Sequence, residues 1–139
     1  MSNRMRSWLV AACAVAVLTA CQKVTHTLEG KWQLSAVEAD GRVSEVDTVW
    51  YNFQTSLFEY QVYIPATGEY LRKFGYKTLS DDETRLDLEL IEDYNKPPLK
   101  EFLRRTDWSA AKRSFTIEES SVTRLVLSGD GKRYTFKRF

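Results

Sequence analysis

The segment Arg85-Leu86-Asp87-Leu88-Glu89-Leu90 places a leucine at every second position and a charge before each. Successive side chains of an extended strand point to opposite faces, so this pattern buries one face and wets the other only as a β-strand. The same period of two recurs along the chain. Gly30 to Val37 alternates through Trp32, Leu34 and Ala36, and a second strand through Val49, Tyr51 and Phe53. A third carries Phe58, Tyr60, Val62 and Ile64, and a fourth, Glu69 to Leu79, carries Tyr70, Arg72, Phe74 and Tyr76 on one face. Phe115 with Ile117, Leu125 with Leu127 and Tyr134 with Phe136 repeat the pattern to the C-terminus.

Turn chemistry punctuates these runs. Asp40-Gly41 is a hairpin signal, and Pro65-Ala66-Thr67-Gly68 and Gly129-Asp130-Gly131 turn the chain again. Gly75 inside the fourth strand indicates a bulge or a bend where the sheet curls. Leu99 to Trp108 follows Pro97-Pro98 and reads as a strand, with one or two helical turns as the alternative. About eight strands result, joined mostly by short links with no long helix between them, which predicts an all-β antiparallel up-and-down meander. Closing about eight strands into a barrel removes the open edges; a β-sandwich is the rival arrangement.

The first twenty residues stand outside this pattern. Arg4 and Arg6 precede the uncharged stretch Trp8 to Ala20, thirteen residues long. That is short of the roughly 20 apolar residues of a spanning helix and has the form of a signal peptide. Leu18-Thr19-Ala20-Cys21 resembles the lipobox of bacterial lipoproteins. The resemblance implies a diacylglycerol on the Cys21 sulfur and cleavage just before that residue. The expected organisation is a lipoprotein signal peptide over 1–20, a lipidated tether over 21–28 and a barrel domain over 29–139. Gln22 stands where similar lipoproteins kept in the inner membrane often carry Asp, so the resemblance implies the outer membrane, facing the periplasm. The partner this implies is the membrane, reached through the N-terminal lipid.

Composition restricts the chemistry. Twenty Lys and Arg face nineteen Asp and Glu, a balance with no electrostatic basis for binding nucleic acid. On the lipobox resemblance Cys13 would leave with the signal peptide and Cys21 would carry lipid, so no disulfide and no thiol nucleophile would remain. His26 is the only histidine, which disfavours a Ser-His-Asp triad or a multi-histidine metal site. No phosphate-cradling glycine loop occurs. Asp81, Asp82 and Glu83 form a solvated turn in preference to a calcium loop. The reading is therefore a non-enzymatic protein with no catalytic residues, no metal ligands and no cofactor; a hydrolase is the remote alternative.

Gly30-Lys31-Trp32 at the start of the first strand is similar to the Gly-x-Trp of lipocalins, and the stretch from Leu125 to Phe139 resembles the closing hairpin of small lipocalin-like lipoproteins. The resemblance implies that Trp32 plugs one barrel end under a basic side chain of the last strand, Arg138 or Arg133. Gly30, Trp32 and Arg138 are the expected closing group. Aromatic residues concentrate in three consecutive strands, the composition of a small-molecule pocket or of a filled core. Strand phase places Phe53, Tyr60, Val62, Phe74, Tyr76 and Leu88 inside, as candidate contacts for a small hydrophobic ligand. The alternative function is an interaction or accessory subunit docking on an envelope protein.

Overall fold

A computed structural model describes residues 28–139. The proposed signal peptide, Cys21 and most of the tether lie outside the described residues. Nine strands and one short helix follow in order: β1 (Gly30–Ala39), β2 (Arg42–Glu45), β3 (Val49–Gln54), β4 (Leu57–Ile64), β5 (Glu69–Leu79), β6 (Arg85–Leu90), α1 (Leu99–Leu103), β7 (Lys112–Ser120), β8 (Arg124–Gly129) and β9 (Lys132–Arg138). Every pairing is antiparallel and joins neighbours in sequence from β3 to β9. β1 then pairs with both β3 and β9, which closes the sheet. The result is an eight-stranded barrel with β2 as one extra strand. The closed barrel, and not the sandwich, is the architecture.

β2 is the strand the alternation does not signal. Its four residues are all exposed, so no buried face imposes a period. It forms because Asp40 and Gly41 both adopt positive φ, the geometry of a two-residue hairpin turn, and fold Arg42 back onto Ala39. β9 occupies the other edge of β1, so β2 runs along the same edge as β3.

Leu99 to Leu103 is α1, not a strand. Pro98 sits at the residue before the first helical turn, where a fixed φ and a missing N–H cost nothing. Leu99, Phe102 and Leu103 then fall on one helical face, and Phe102 is fully buried.

At Gly75 the sheet curls without a bulge. The β4–β5 ladder runs through it without a shift in register. Bulges occur instead on β1 between Leu34 and Ala36 and on β7 between Ile117 and Glu119. Gly75 serves a close approach: a Cβ there would stand 1.7 Å from the Glu89 carbonyl oxygen of β6. The missing side chain lets β6 draw in tightly as the sheet curls.

The register also separates the two barrel ends. Starts of β1, β4, β6 and β8 meet ends of β3, β5, β7 and β9 at one end, here called the base, where the described chain begins at Leu28. The hairpin turn at Asp40, the Pro65–Gly68 turn and the connection carrying α1 lie at the other end, the mouth.

Candidate functional site

At the base, the Trp32 indole N–H donates to the Leu28 carbonyl at 2.9 Å. The Arg138 guanidinium lies 3.9 Å from the centre of the same ring. Arg138 also donates to the carbonyls of Glu29 and Val122. Gly30 has φ +111°, and a Cβ on it would lie 2.6 Å from an Arg138 nitrogen. Gly30, Trp32 and Arg138 thus meet in one closed layer, while Arg133 instead pairs with Glu118 on the outer wall.

The interior above this layer is filled. Tyr51 stands at its middle, with ring centres of Phe58, Tyr60, Trp108, Phe115 and Phe136 between 4.8 and 6.4 Å away. Phe53, Val62 and Leu88 are buried in the same cluster and serve as packing. Two of its rings come from the β6–β7 connection. Trp108 donates its N–H to the Tyr51 hydroxyl at 3.0 Å, and Phe102 packs edge-on to Tyr60 at 5.4 Å. The aromatic strands therefore build a core, and the chain's own segment occupies the space a central ligand would take.

Phe74 and Tyr76 face outward, 41% and 51% exposed. The inward positions of β5 are Leu71, Lys73, Gly75 and Lys77. Cross-strand partners share a face, and Val62 opposes Leu71 while Tyr60 opposes Lys73. With Tyr60 and Val62 inside, Phe74 and Tyr76 must be outside. Lys73 is fully buried, and its ammonium ends between the Asp93 carboxylate and the Asn95 carbonyl, both at 2.7 Å. That hydrogen bond holds the Asp93 carboxyl below the usual carboxylate range. Lys77 likewise reaches Glu29 at 3.0 Å.

Within the barrel, space for a ligand is left at the mouth. A depression of about 270 Å³ is walled by Leu34, Val37, Val46 and Val49 and floored by Tyr51 and Tyr60. Arg105, Thr106, Asp107, Lys132 and Tyr134 make its polar side. Asp107 organises that side. It accepts from the Tyr134 hydroxyl and from Arg113 at 3.1 Å, and Lys132 stands 3.4 Å away. Arg113 donates to the Tyr134 hydroxyl at 2.6 Å, and its Nε lies 3.2 Å from the Asp130 carboxylate, an ion pair without hydrogen-bond alignment. Burial and the neighbouring Asp107 push the Tyr134 hydroxyl above the usual phenol range, and burial does the same to Tyr51 and Tyr60. All three tyrosines are therefore neutral hydrogen-bonding groups at physiological pH. On the outer surface, a 560 Å³ trough between the two Asp-Gly hairpin turns is lined mainly by turn backbone and polar groups, while a depression of about 350 Å³ on the β3–β4–β5 wall is mainly apolar and includes Leu57, Phe58 and Phe74.

Of the six interior candidates from the sequence, Tyr60 alone lines this mouth. Asp107, Arg113, Lys132 and Tyr134 escaped the sequence reading because their spacing follows no motif. They converge because the β6–β7 connection folds back over the β8–β9 hairpin. The one signal the sequence holds is the pair of basic runs Arg104-Arg105 and Lys112-Arg113 on either side of Trp108.

A sequence model described as a lipocalin-like domain matches residues 16–139. Among solved structures, a lipocalin-like protein from Bacteroides uniformis superposes with a TM-score of 0.71 at 28% identity, covering 81% of this chain and 99% of that one. An uncharacterized protein from Bacteroides eggerthii superposes with a TM-score of 0.64 at 26% identity, with coverage of 81% and 99%. No curated protein sequence matches the chain.

Proposed function

Since the chain belongs to the lipocalin-like domain family, we propose that it is a non-enzymatic binding protein of the bacterial envelope, moored by lipid on Cys21, that holds a small amphipathic ligand at the barrel mouth. The single observation that carries the ligand reading is the mouth depression, where four aliphatic side chains face a floor of tyrosines and a charged rim. Ligand sites combine apolar lining with a few convergent polar groups in this way. Its 270 Å³ falls below the range of about 300–1,000 Å³ usual for such pockets, which favours a compact ligand over a long acyl chain. The packed interior supports the same restriction, because a long chain has no channel to enter.

The mooring rests on the Leu18-Thr19-Ala20-Cys21 motif. A diacyl modification adds about 0.8 kcal/mol per buried CH₂, and two chains hold a protein stably on a bilayer. The tether then runs to Leu28 at the base, opposite the mouth, so the ligand site stays open to the periplasm.

The test is a calorimetric titration with short amphiphiles: acids, amides and alcohols of six to ten carbons. At least one class binds, and Val49→Trp, which fills the depression, abolishes that binding with the fold intact by circular dichroism. No binding by any class at millimolar concentration overturns the ligand reading. An unmodified Cys21 in protein taken from membranes overturns the mooring.

A further inference from the structure

Exposed apolar side chains gather at the base. Leu57 and Tyr76 flank it on one side, side by side across the β4–β5 pair, and each is more than half exposed. Val122, in the β7–β8 turn, and Phe139, just beyond β9, flank it on the other and are equally exposed. Neither position is a loose end. The Val122 carbonyl accepts from Arg138 at 3.0 Å, and the Phe139 N–H donates to the Lys31 carbonyl at 3.0 Å. These outward-facing apolar side chains thus lie at the same end as the closing layer of Trp32 and Arg138, with the Phe139 ring edge-on to Trp50 at 6.0 Å.

Resting on the mooring proposed above, we propose that this base lies against the bilayer that holds Cys21, with Leu57, Tyr76, Val122 and Phe139 dipping into the headgroup region. Chain length selects the bilayer as the occupant. From Cys21 to Leu28 there are seven residues, at most about 25 Å of chain. The barrel strands hold six to eleven residues and tilt against the barrel axis, which makes the barrel roughly 25 Å tall. The barrel is thus held within its own height of the membrane, and the end nearest the tether meets the lipid first. Tyr, Phe and Leu suit the boundary of headgroup and acyl chain. The base carries charges of both signs, Lys31 and Arg138 against Glu29 and the Asp81–Glu83 turn. The contact therefore needs no anionic lipid.

The experiment uses full-length protein processed in an exporting bacterium and reconstituted into phosphatidylcholine vesicles containing doxyl-labelled lipid. With Cys13 removed and Cys21 acylated, a single introduced thiol takes a fluorophore at one site: Leu57→Cys or Val122→Cys at the base, Val43→Cys or Tyr94→Cys at the mouth. All four native side chains are exposed, so labelling disturbs no core packing. Quenching by the lipid is expected to be at least threefold greater at the two base sites. Equal quenching at all four, or stronger quenching at the mouth, overturns the orientation while mass spectrometry of an acylated Cys21 keeps the mooring. An unmodified Cys21 overturns both.

Discussion

The Trp108 indole N–H donates to the Tyr51 hydroxyl at 3.0 Å, across 57 positions of sequence, in the middle of the barrel. This one bond ties the irregular β6–β7 connection to the most crowded ring of the core. It leaves the interior occupied by the chain itself and pushes any ligand to the mouth.

The cost of emptying that interior follows from packing. Phe102 is fully buried between Tyr60 and the end of the barrel. Phe102→Ala is expected to lower stability by about 3–5 kcal/mol, the usual loss for a buried aromatic. Trp108→Phe keeps a ring but removes the donor to Tyr51, and about 1–3 kcal/mol is expected from the unsatisfied hydroxyl. Urea unfolding followed by far-ultraviolet circular dichroism measures both. Losses below about 1 kcal/mol would mean that the connection is not packed into the barrel.

At the base, Arg138→Gln removes the stacking on Trp32, worth about 0.5–2 kcal/mol, together with hydrogen bonds to two carbonyls. Arg138→Lys is expected to recover little, because an ammonium lacks the planar fork that stacks and donates in two directions at once. The urea midpoints of wild type and the two variants check this; a lysine variant equal to wild type contradicts it.

Gly75→Ala probes the tight curl of the sheet. With a Cβ 1.7 Å from the Glu89 carbonyl oxygen, β5 and β6 have to separate. The loss is expected to exceed the roughly 1–3 kcal/mol of ordinary overpacking, because the clash is with backbone and not with a movable side chain. A thermal unfolding scan in which the variant melts with wild type would contradict the close approach.

The Lys73–Asp93 pair gives the stability a pH dependence. Hydrogen bonding from Lys73 lowers the folded-state pKa of Asp93 beneath its unfolded value of about 3.9. The folded protein therefore binds this proton less readily than the unfolded chain. The stabilisation is fully present above the unfolded value and is lost as pH falls through the lowered folded value. Asp93→Asn is thus expected to be less stable than wild type at pH 7, with the gap closing toward pH 2. A gap that does not change with pH would show that the carboxylate charge is not what holds Lys73.

Much of the barrel was legible because alternation and turn chemistry agree. β6 is the clearest case, since Leu86, Leu88 and Leu90 are all buried as their spacing requires. β5 shows where strand phase alone misleads. Its outer face carries Tyr70, Phe74 and Tyr76, and its inner face carries two lysines and a glycine. Hydrophobicity therefore points the wrong way. The Pro65–Gly68 turn pairs Ile64 with Glu69, which sets Tyr60 opposite Lys73. Counting across that four-residue turn reveals the correct face. The helix α1 was obscured because only five residues form it, too few to establish a helical period. The mouth cluster of Asp107, Arg113 and Tyr134 spans three segments, and only the closed barrel brings them together.

The most direct measurement is a nuclear magnetic resonance titration of isotopically labelled protein with an amphiphile that binds. Amide shifts are expected to concentrate at Val46, Val49, Thr106 and Lys132, with Phe53, Leu86, Leu88 and Leu125 unmoved. Shifts centred on those four core positions would contradict a filled barrel, since they would mean that the ligand enters its interior.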